Sequence, residues 1–491
     1  MTEIERTVEY QPRNQHIEAA SINKVKHTPI SGTTYTQKND FIEFRINNNG
    51  DFINDVKFNC DFTATGTSAG SGTYNLFTSE SINSCFSRIT ITQGGNLLEN
   101  IVDYNRIYSV YSRVYSSKFQ HGSIGSMTDL YQDPYGTHPN HTGTGVQIST
   151  ATGNPPASYV SRKISVPISL SNLLGPSKRK ALPLALLKGG PLFIRFFLTS
   201  NVEEVLYCHN STAGSTATFG ADTSYQLSNV NLEIEHIRYP SEAMAMIKSG
   251  IGAEVVFDGV QCISSTNSIG YSAQERVIMP NTSYSDVRNV IIAQHYPTLS
   301  SNQLNMGVSP LNGTYQAQLL LDGSPVAANR PVGASESNAV MNSIPEFAKS
   351  VIQLNRPVNM ADDTQTAIGP TQATSAEPIY NFTNNNGGTG TAGQVFNPTD
   401  NPVPTVASFG IDANTLGVAP YFGYIGFDLV QNGDPSRAQT GVDMRGRQLV
   451  YDARQTNAIA AGTTNCVVMA ILSIGVKYVL DVNSGVMRTV Y

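Results

Sequence analysis

The sequence predicts an all-β protein built from two antiparallel β-domains in tandem. Three observations support this prediction. Many short runs alternate apolar and polar residues, segments rich in Gly, Ser, Thr and Asn separate these runs, and a short helical pattern falls near the middle of the 491 residues. Alternation with a period of two is typical of strands that have one buried face. Several short strands with turn-rich connections favour sandwiches or barrels over alternating strand and helix units.

The alternation begins in Phe41–Ile46, where Ile42, Phe44 and Ile46 fall on one face. Turn-forming residues follow at 47–50, and a second alternating run covers residues 52–62. We expect these two runs to form a β-hairpin with one buried face. The same alternation predicts further strands at residues 87–92, 163–170, 192–198, 230–234, 254–263, 315–321, 421–429, 467–480 and 486–491.

Three segments carry helical patterns, and all three are predicted to pack on sheets as accessory elements. The first follows Asp103, a candidate N-cap, and the third follows Ser343, whose spacing to Glu346 matches a capping box. The second covers residues 241–249 after Pro240 and ends at Gly250. The apolar stripe of the first helix consists of Tyr104, Ile107, Tyr108, Tyr111, Val114 and Tyr115.

The helical segment at mid-chain is predicted to link two domains of similar size, because strand patterns precede and follow it. Residues 39–240 are assigned to the first β-domain, 241–252 to the linker helix and 253–491 to the second β-domain. Residues 1–38 are polar without a sustained period, and we expect an arm that becomes ordered only against a neighbour. The segments poor in large apolar residues predict projecting loops at 64–73, 136–156, 209–224 and 371–406.

Charge and cysteine content exclude several classes of protein. Charged residues make up 14%, and 31 basic against 37 acidic residues give a net charge of −6, so no basic footprint for sequence-specific nucleic-acid binding is present. An odd number of scattered cysteines argues against a disulfide framework and a structural zinc site. The start of the chain lacks a signal-peptide pattern, and we expect synthesis inside the cell. The cysteines are Cys60, Cys85, Cys208, Cys262 and Cys466.

The sequence contains short matches to catalytic motifs, but none lies beside the strand and helix that the corresponding active site needs. Residues 388–393 match G-x-G-x-x-G and residues 66–70 match G-x-S-x-G, but both lie in loop-like segments without the flanking strand and helix. His138 and His141 lie in a loop that would not hold two imidazoles on one metal. The adjacent acids at 203–204 and 362–363 would point to opposite faces of a strand. The sequence therefore predicts no catalytic, cofactor-binding or metal site and no enzyme.

One dense basic cluster, Lys178-Arg179-Lys180, follows Gly175-Pro176. Such a cluster is usually a solvated turn and less often a contact for phosphate or an acidic neighbour. We expect it on a contact or on an inner-facing loop.

Four segments of the first half occur in an order that resembles a known family. They are Phe44-Arg45-Ile46 with residues 51–56; residues 86–91 with Gly94-Gly95 and Asp103-Tyr104-Asn105; residues 164–168 with 182–198; and residues 225–234. In the second half, residues 422–429, 440–443 and 474–491 match more loosely. Together they resemble the double jelly-roll major capsid proteins of icosahedral double-stranded DNA viruses of the adenovirus and virophage type. The similarity is greatest to those of polinton-like viruses and virophages.

This resemblance implies two jelly-roll barrels side by side, each with eight strands in two packed sheets. It implies a homotrimer with six corners, a pseudo-hexamer, that tiles a capsid in the virion. The long loops would point outward, and the N-terminal arm would lie near the inner face. Implied partners are the chain itself, penton and minor or cement capsid proteins, and an internal membrane or the genome at the inner face. No cofactor is implied.

Two alternatives remain open from sequence alone. A secreted or phage-borne β-sandwich could bind a receptor or cleave carbohydrate, although the chain has no Trp for an aromatic platform and no repeats typical of a fibre. A penton or other minor jelly-roll capsid protein would need only about half of this length. Both alternatives share the β-sheet prediction and differ in assembly and activity.

Overall fold

The computed structural model describes sixteen stretches of the chain, and the fold is reported for these stretches. They are residues 21–46, 50–65, 73–78, 82–108, 146–149, 160–168, 170–175, 181–210, 223–270, 274–278, 284–295, 315–325, 332–333, 424–429, 441–455 and 465–491.

Most of the regular structure in these stretches is β-strand. Twelve described strands precede the mid-chain helix: β1 (Ser21–His27), β2 (Tyr35–Thr36), β3 (Phe41–Ile46), β4 (Phe52–Thr65), β5 (Thr73–Thr78), β6 (Phe86–Gln93), β7 (Asn96–Val102), β8 (Val146–Ser149), β9 (Val160–Pro167), β10 (Leu192–Leu198), β11 (Leu206–Asn210) and β12 (Ser224–Arg238). Ten follow it: β13 (Glu254–Gly270), β14 (Gln274–Ile278), β15 (Val287–His295), β16 (Tyr315–Leu321), β17 (Ser324–Pro325), β18 (Val332–Gly333), β19 (Tyr424–Asp428), β20 (Leu449–Gln455), β21 (Asn465–Asp481) and β22 (Val486–Val490).

The described helices are few and short. Helix α1 covers residues 104–108, α2 is Val202–Val205 and α3 is Ser241–Gly250, with short 3-10 turns at Ile82–Cys85 and Leu184–Leu186. Within the described stretches, no helix has both the length and the apolar composition needed to cross a membrane.

The strands form five antiparallel sheets, and each described sheet takes its strands from one side of α3. Before α3, sheet I has the order β1-β12-β4-β9 with β2 also on β12, sheet II has β3-β10-β6-β7, and sheet III has β11-β5-β8. After α3, sheet IV has β13-β21-β15-β19 with β22 on β21, and sheet V has β14-β20-β16-β17 with β18 on β16. The sheets thus form two sets, called here the first and second strand sets.

The prediction that residues 41–62 form a hairpin is wrong. Strand β3 pairs with β10 in sheet II, whereas β4 pairs with β12 and β9 in sheet I. Both strands alternate as predicted, with Ile42 and Phe44 buried on β3 and Phe58 and Phe62 buried on β4. The chain crosses from one sheet to the other between them, so the two buried faces meet across the core instead of lying side by side.

Packing of four phenylalanines joins sheets I and II. Phe58 of β4 lies 5.0 Å from Phe196 and 4.9 Å from Phe86, measured between ring centroids, and 6.3 Å edge-to-face from Phe44. The last three rings come from three different strands of sheet II, and all four side chains are at most 1% exposed. Edge-to-face and tilted aromatic pairs add to the hydrophobic burial. Phe58 is therefore the central contact between these two sheets.

In the second strand set, the middle of sheet IV is buried on both faces. Residues 289–293 of β15 and 468–476 of β21 are buried without interruption. Such continuous burial removes the alternation that marks a half-exposed strand. For this reason β15 was absent from the strands predicted from sequence, although it pairs with β21 over most of its length.

The predicted N-terminal arm also needs correction. Ser21–His27 is a strand of sheet I, paired with β12 from Ser21 opposite Arg238 to His27 opposite Leu232. Tyr35–Thr36 adds a second short pairing to β12. Polar residues predominate in β1 because it lies at the sheet edge with most of its side chains exposed. Residues 1–20 of the predicted arm lie outside the described residues.

The helix predictions have three different outcomes. The mid-chain helix is confirmed as Ser241–Gly250. The first predicted helix does begin after Asp103, but its described part ends at residue 108, so Tyr111, Val114 and Tyr115 lie outside the described residues, as does the helix predicted after Ser343. Helix α2, capped by the Asn201 side chain on the Glu203 amide, was not predicted.

We predict that Phe58→Ala lowers the free energy of unfolding by about 3–5 kcal/mol, because it removes a fully buried ring and leaves a cavity between sheets I and II. Ile30→Ala is the control for an exposed apolar side chain, since Ile30 is 57% exposed, and we expect it to cost about 1 kcal/mol or less. Urea unfolding followed by tyrosine fluorescence measures both. Equal losses for the two variants would contradict this description of the core.

Candidate functional site

The two strand sets meet through a polar junction centred on Glu99. This residue lies on β7, the edge strand of sheet II, and β7 packs against β13 and β22 of sheet IV. The Glu99 side chain is 1% exposed. A carboxylate in such a position is costly unless several donors surround it. The junction supplies those donors from both sides.

Glu99 accepts four hydrogen bonds. Its Oε1 receives the backbone N–H groups of Asn172 and Leu173, at 2.8 and 3.0 Å, and the hydroxyl of Tyr478 at 2.8 Å. Its Oε2 receives the hydroxyl of Ser171 at 2.5 Å. Residues 171–173 follow β9 in the first strand set, whereas Tyr478 lies on β21 in the second. One carboxylate therefore ties together a strand, a loop and the opposite domain.

A second layer of hydrogen bonds surrounds this carboxylate. The Gln261 side-chain amide donates to the backbone carbonyl of Leu98 at 3.0 Å and contacts the Tyr478 hydroxyl at 3.1 Å. The hydroxyl of Thr489 donates to the same Leu98 carbonyl at 2.8 Å. Gln261 is 3% exposed and Tyr478 is 1% exposed. These bonds fix the orientation of the tyrosine that Glu99 requires.

Asn172 extends the junction to the backbone of β13. Its side-chain amide donates to the carbonyl of Val260, and its side-chain oxygen accepts from the amide of Val260 at 3.2 Å. The side chain thus pairs with a peptide group as a neighbouring strand would. This pairing satisfies part of the open edge of a long strand, which would otherwise be free to pair with another chain.

The turn between β21 and β22 forms the other end of the junction. Gln93, at the end of β6, donates from Nε2 to the Gly485 carbonyl at 2.7 Å and accepts from the Met487 amide at 2.7 Å. The Gly189 amide donates to the same Gly485 carbonyl at 2.9 Å. Gly485 has a φ of +67°, and a Cβ there would collide with the backbone of Lys188. Only glycine fits this turn against the first strand set.

Asp103 was predicted as a helix N-cap, and its structural role is different. Its carbonyl accepts from the Ile107 amide at 2.9 Å, as expected before a helix, but its φ is +52° instead of the extended value of a typical cap. The carboxylate accepts from the hydroxyl of Ser264 at 2.8 Å, on β13. The Asp103 side chain therefore forms a hydrogen bond between the two strand sets and does not cap the helix.

Burial dominates the electrostatics of the junction. It raises the pKa of Glu99 above its ordinary value, although the hydrogen bonds from Ser171, Tyr478, Leu173 and Asn172 act in the opposite direction. Burial, followed by the charge of Glu99, raises the pKa of Tyr478 well above its ordinary value. Folding therefore tightens proton binding at Glu99 relative to the unfolded chain, and the Glu99 contribution to stability decreases as the pH rises through its folded-state pKa.

A second feature is the outer face of sheet II, called here the aromatic–arginine face. Phe41 and Phe197 lie 5.7 Å apart between centroids, with Arg195 over the first ring and Arg88 over the second. Arg195 also pairs with Glu43 at 2.7 Å. The strand registers place the following residues on this face: Phe41, Glu43, Arg45, Arg88, Thr90, Thr92, Leu97, Asn100, Val102, Phe193, Arg195 and Phe197.

The aromatic–arginine face is unusually apolar for an outer sheet surface. Phe41, Leu97 and Val102 are 38%, 46% and 42% exposed. Phe and Arg are residues that interface cores favour, and contiguous exposed apolar surface marks interaction sites. The sequence could have indicated this interaction surface. In Phe41–Ile46 and Leu192–Leu198, the alternation places aromatic residues on the face opposite the core as well as on the core face.

Most of the motifs weighed in the sequence lie outside the described residues. These are the glycine motifs at 66–70 and 388–393, His138 and His141, the acids at 362–363 and the basic cluster at 178–180. Glu204 is described, and its carboxylate accepts from Asn105, Arg106 and Thr199 in a structural network. Among the residues with described positions, no group of three or more His, Cys, Asp or Glu could hold a metal.

Comparison with known proteins identifies the fold. No family model and no curated protein matches the sequence. Solved structures do match. PBCV-1 VP54, from its crystal structure fitted into a cryo-EM reconstruction of the virophage Sputnik, is 12% identical with a TM-score of 0.53, covering 99% of both chains.

Two further structures agree with this match. A chain of the Sputnik virophage cryo-EM structure is 12% identical with a TM-score of 0.57, covering 98% of this chain and 92% of its own. The mavirus major capsid protein is 10% identical with a TM-score of 0.51, covering 98% and 94%. The predicted all-β double jelly-roll fold is confirmed, and the family resemblance noted in the sequence is confirmed at the level of fold.

We predict that Glu99→Leu lowers the free energy of unfolding by about 3 kcal/mol or more, because it leaves the buried hydroxyls of Tyr478 and Ser171 and two backbone amides without their acceptor. Glu99→Gln keeps an acceptor and adds a donor for Ser171, so we expect a much smaller loss. Denaturant unfolding at fixed pH measures both. Equal losses in the two variants would contradict the hydrogen-bonding role of this carboxyl.

Glu99→Gln also tests the raised pKa. In the wild type, stability is expected to decrease as the pH rises above the ordinary value of 4.5 and through the higher folded-state value. The glutamine variant cannot titrate at this position, so the stability advantage of the wild type over this variant should shrink as the pH rises. A constant difference between pH 4 and pH 8 would show that the pKa of Glu99 is not raised.

Proposed function

We propose that this chain is a major capsid protein that assembles into homotrimeric, pseudo-hexameric capsomers tiling the icosahedral shell of a double-stranded DNA virus. The observation that carries this proposal is the match over 98–99% of the chain to virophage and PBCV-1 capsid structures. A match of that extent includes both strand sets and the junction between them.

The geometry of the junction supports the same function. A subunit that supplies two corners of a hexagon must hold its two barrels at a fixed spacing and angle. The bonds from Glu99 to Tyr478, from Asn172 to Val260 and from Gln93 to the turn at Gly485 connect the strand sets at three separate points. Three separated contacts restrict rotation in a way that a single linker helix would not.

We propose the aromatic–arginine face as a contact between subunits. Obligate interfaces bury about 2,000 Å² or more and have apolar centres, in which Phe and Arg are favoured. Three of its strands carry half-exposed or exposed apolar side chains, and Glu43 neutralises only one of its three arginines by a close ion pair. A covered face of this kind explains why phenylalanines lie on the outer side of a sheet.

We infer the domain limits from the sheets. The first barrel would reach to residue 240, the linker helix would occupy 241–252 and the second barrel 253–491, with a surface insertion near 371–406. The separation of the sheets on either side of Ser241–Gly250 supports these limits. Strand β1 extends the first barrel to residue 21, which leaves residues 1–20 as the arm.

Location in the virion and a structural, non-enzymatic role follow from the proposal. The same proposal includes contacts with penton and minor or cement proteins. It also includes contacts with an internal membrane or the genome at the inner face. The low content of charged residues, 14%, fits a subunit packed densely beside identical copies, because like charges at such contacts repel.

The assembly state tests the proposed function. Native mass spectrometry of the purified chain should give a particle of three 52.9 kDa subunits, and negative-stain images should have six-cornered outlines. Monomers that cleave members of a glycan panel would instead support a carbohydrate-active β-sandwich. Monomers without activity would also contradict the capsomer proposal.

We predict that Phe41→Ser combined with Leu97→Ser abolishes trimers while leaving the monomer folded, because both side chains are exposed and contribute little to the core. Met246→Ser is the matched control, since Met246 is 60% exposed and belongs to α3, outside sheet II. Size-exclusion chromatography with light scattering measures the mass. Trimers that persist in the double variant would exclude this face as the trimer contact.

The basic cluster remains a separate prediction. Replacement of Lys178, Arg179 and Lys180 by Ala should lower the yield of assembled shells, with a larger effect at low salt because screening weakens ionic contacts at high salt. Unchanged yields at both salt concentrations would contradict the expected contact role.

A further inference from the structure

Two buried histidines lie in contact at the N-terminal edge of sheet I. The Nε2 atoms of His27 and His236 are 3.0 Å apart, and the ring centroids are 5.2 Å apart. His27 is 5% exposed and His236 is 1% exposed. His27 belongs to β1 and His236 to β12, so this contact links the edge strand to its neighbour.

Strand β1 has little else to hold its side chains in place. His27 is its only buried residue, Ser21 and Val25 are partly buried, and Ile22 is 59% exposed. The remaining attachments are the backbone ladder with β12 and the largely exposed ion pair of Lys24 with Glu233 at 3.9 Å. Edge strands of this kind open more readily than strands in the core. The protonation state of His27 therefore has a large influence on whether β1 stays paired with β12.

The contact requires that at least one imidazole be neutral. A hydrogen bond between two Nε2 atoms needs one N–H donor and one lone pair, and a fully protonated pair has donors only. The His236 Nδ1 is also buried without a hydrogen-bond partner. A first added proton would place a charge in this buried site, and a second would remove the acceptor and set two cations against each other.

The charged groups around the pair do not compensate these protons. Arg238 lies two residues from His236 on the same side of β12 and adds positive charge. The carboxylate of Asp51, before β4, accepts from the Tyr239 amide at 2.8 Å and is not among the groups that shift the pKa of His236. Alternation and pairing place the other nearby charges on the opposite side of sheet I, or on the outer face of sheet II: Lys24, Lys26, Glu233, Glu235, Glu43 and Arg45.

Gly50 closes the site from the other side. A Cβ at this position would lie 3.0 Å from the Cβ of His236, so the backbone of residues 50–51 packs directly on the imidazole. The Asp51 amide donates to the Ile237 carbonyl at 2.9 Å, which holds this backbone in place. Water therefore has little room to solvate an imidazolium at His236.

We propose that the His27–His236 contact is an acid-sensitive latch that holds strand β1, and with it the N-terminal end of the chain, on the first barrel at neutral pH and releases it on acidification. The inference does not depend on the capsid function, because it concerns the docking of one strand within one chain. In a shell, the same release would free the N-terminal segments of many subunits at once.

The direction of the pKa shifts agrees with this latch. Burial, the neighbouring His27 and Arg238 lower the pKa of His236 to about 4, and burial lowers the pKa of His27 from 6.5. A lowered pKa means that the folded contribution is complete above pH 6.5 and is lost as the pH falls toward the folded-state value. Acidification from pH 7.5 to 5.0 then weakens docking through His236 by up to about thirtyfold, the limit reached when its pKa returns from about 4 to 6.5 on release of β1.

Hydrogen–deuterium exchange of the full-length protein tests the latch. Exchange of residues 21–27 is measured at pH 7.5 and 5.0, corrected for intrinsic rates, with EDTA present to exclude metal ions bridging the imidazoles. We expect exchange in β1 to rise at least about tenfold at pH 5.0, with residues 192–198 of β10 as the protected reference. Equal protection of β1 at both pH values would overturn the proposal.

Variants separate the latch from general acid sensitivity. The double variant His27→Gln with His236→Gln keeps amide donors and acceptors but cannot titrate, so β1 should lose its acid response. His209→Gln, on β11 in sheet III, is the matched control and should behave like the wild type. An unchanged acid response in the double variant, or loss of the response in the control, would contradict the assignment to this pair.

A milder variant covers the case in which the double variant does not fold. Arg238→Gln removes a charge that lowers the pKa of His236, so the midpoint of acid release should move to lower pH in the otherwise intact protein. A midpoint that stays unchanged or moves to higher pH would overturn the latch, since the electrostatics of the pair would then not control release.

Discussion

A carboxylate removed from water must be surrounded by donors, and the arrangement of the two barrels depends on how this requirement is met at Glu99. Two of its donors are backbone amides of the first strand set, and a third is the hydroxyl of Tyr478 in the second. Separating the barrels would leave Tyr478 without this acceptor and expose the apolar strands beside it. Any movement that breaks these bonds would leave buried polar groups unsatisfied, which costs free energy. The bonds therefore fix the position of one barrel relative to the other.

The same chain uses aromatic residues in two ways, and the sheet face decides which. On β3 and β10 the side chains that point inward form the core with Phe58. The side chains at the alternate positions point outward and form the aromatic–arginine face. The core ring Phe196 and the surface ring Phe197 are neighbours in sequence. Stability of the monomer and the proposed contact between subunits thus arise from alternate positions of the same strands, which couples folding to assembly.

Much of the strand pattern could be predicted from the sequence, because burial of one face imposes a period of two. Leu192–Leu198 and Tyr315–Leu321 have the bounds expected from their alternation. The pattern failed where its physical basis is absent. Residues 289–293 of the strand Val287–His295 are buried on both faces, Ser21–His27 is mostly exposed, and neither strand alternates clearly. The hairpin expected at residues 41–62 failed for a different reason, since alternation does not specify the partner strand.

The sequence by itself determined the all-β class, because this class depends on local periodicity and composition. Only the tertiary structure decided which charged and polar residues act together. Glu99 and Tyr478, or His27 and His236, are separated by hundreds of residues and carry no local signature. Long-range pairing of strands brings such groups into contact, and the low polarity of the interior then makes their contacts strong.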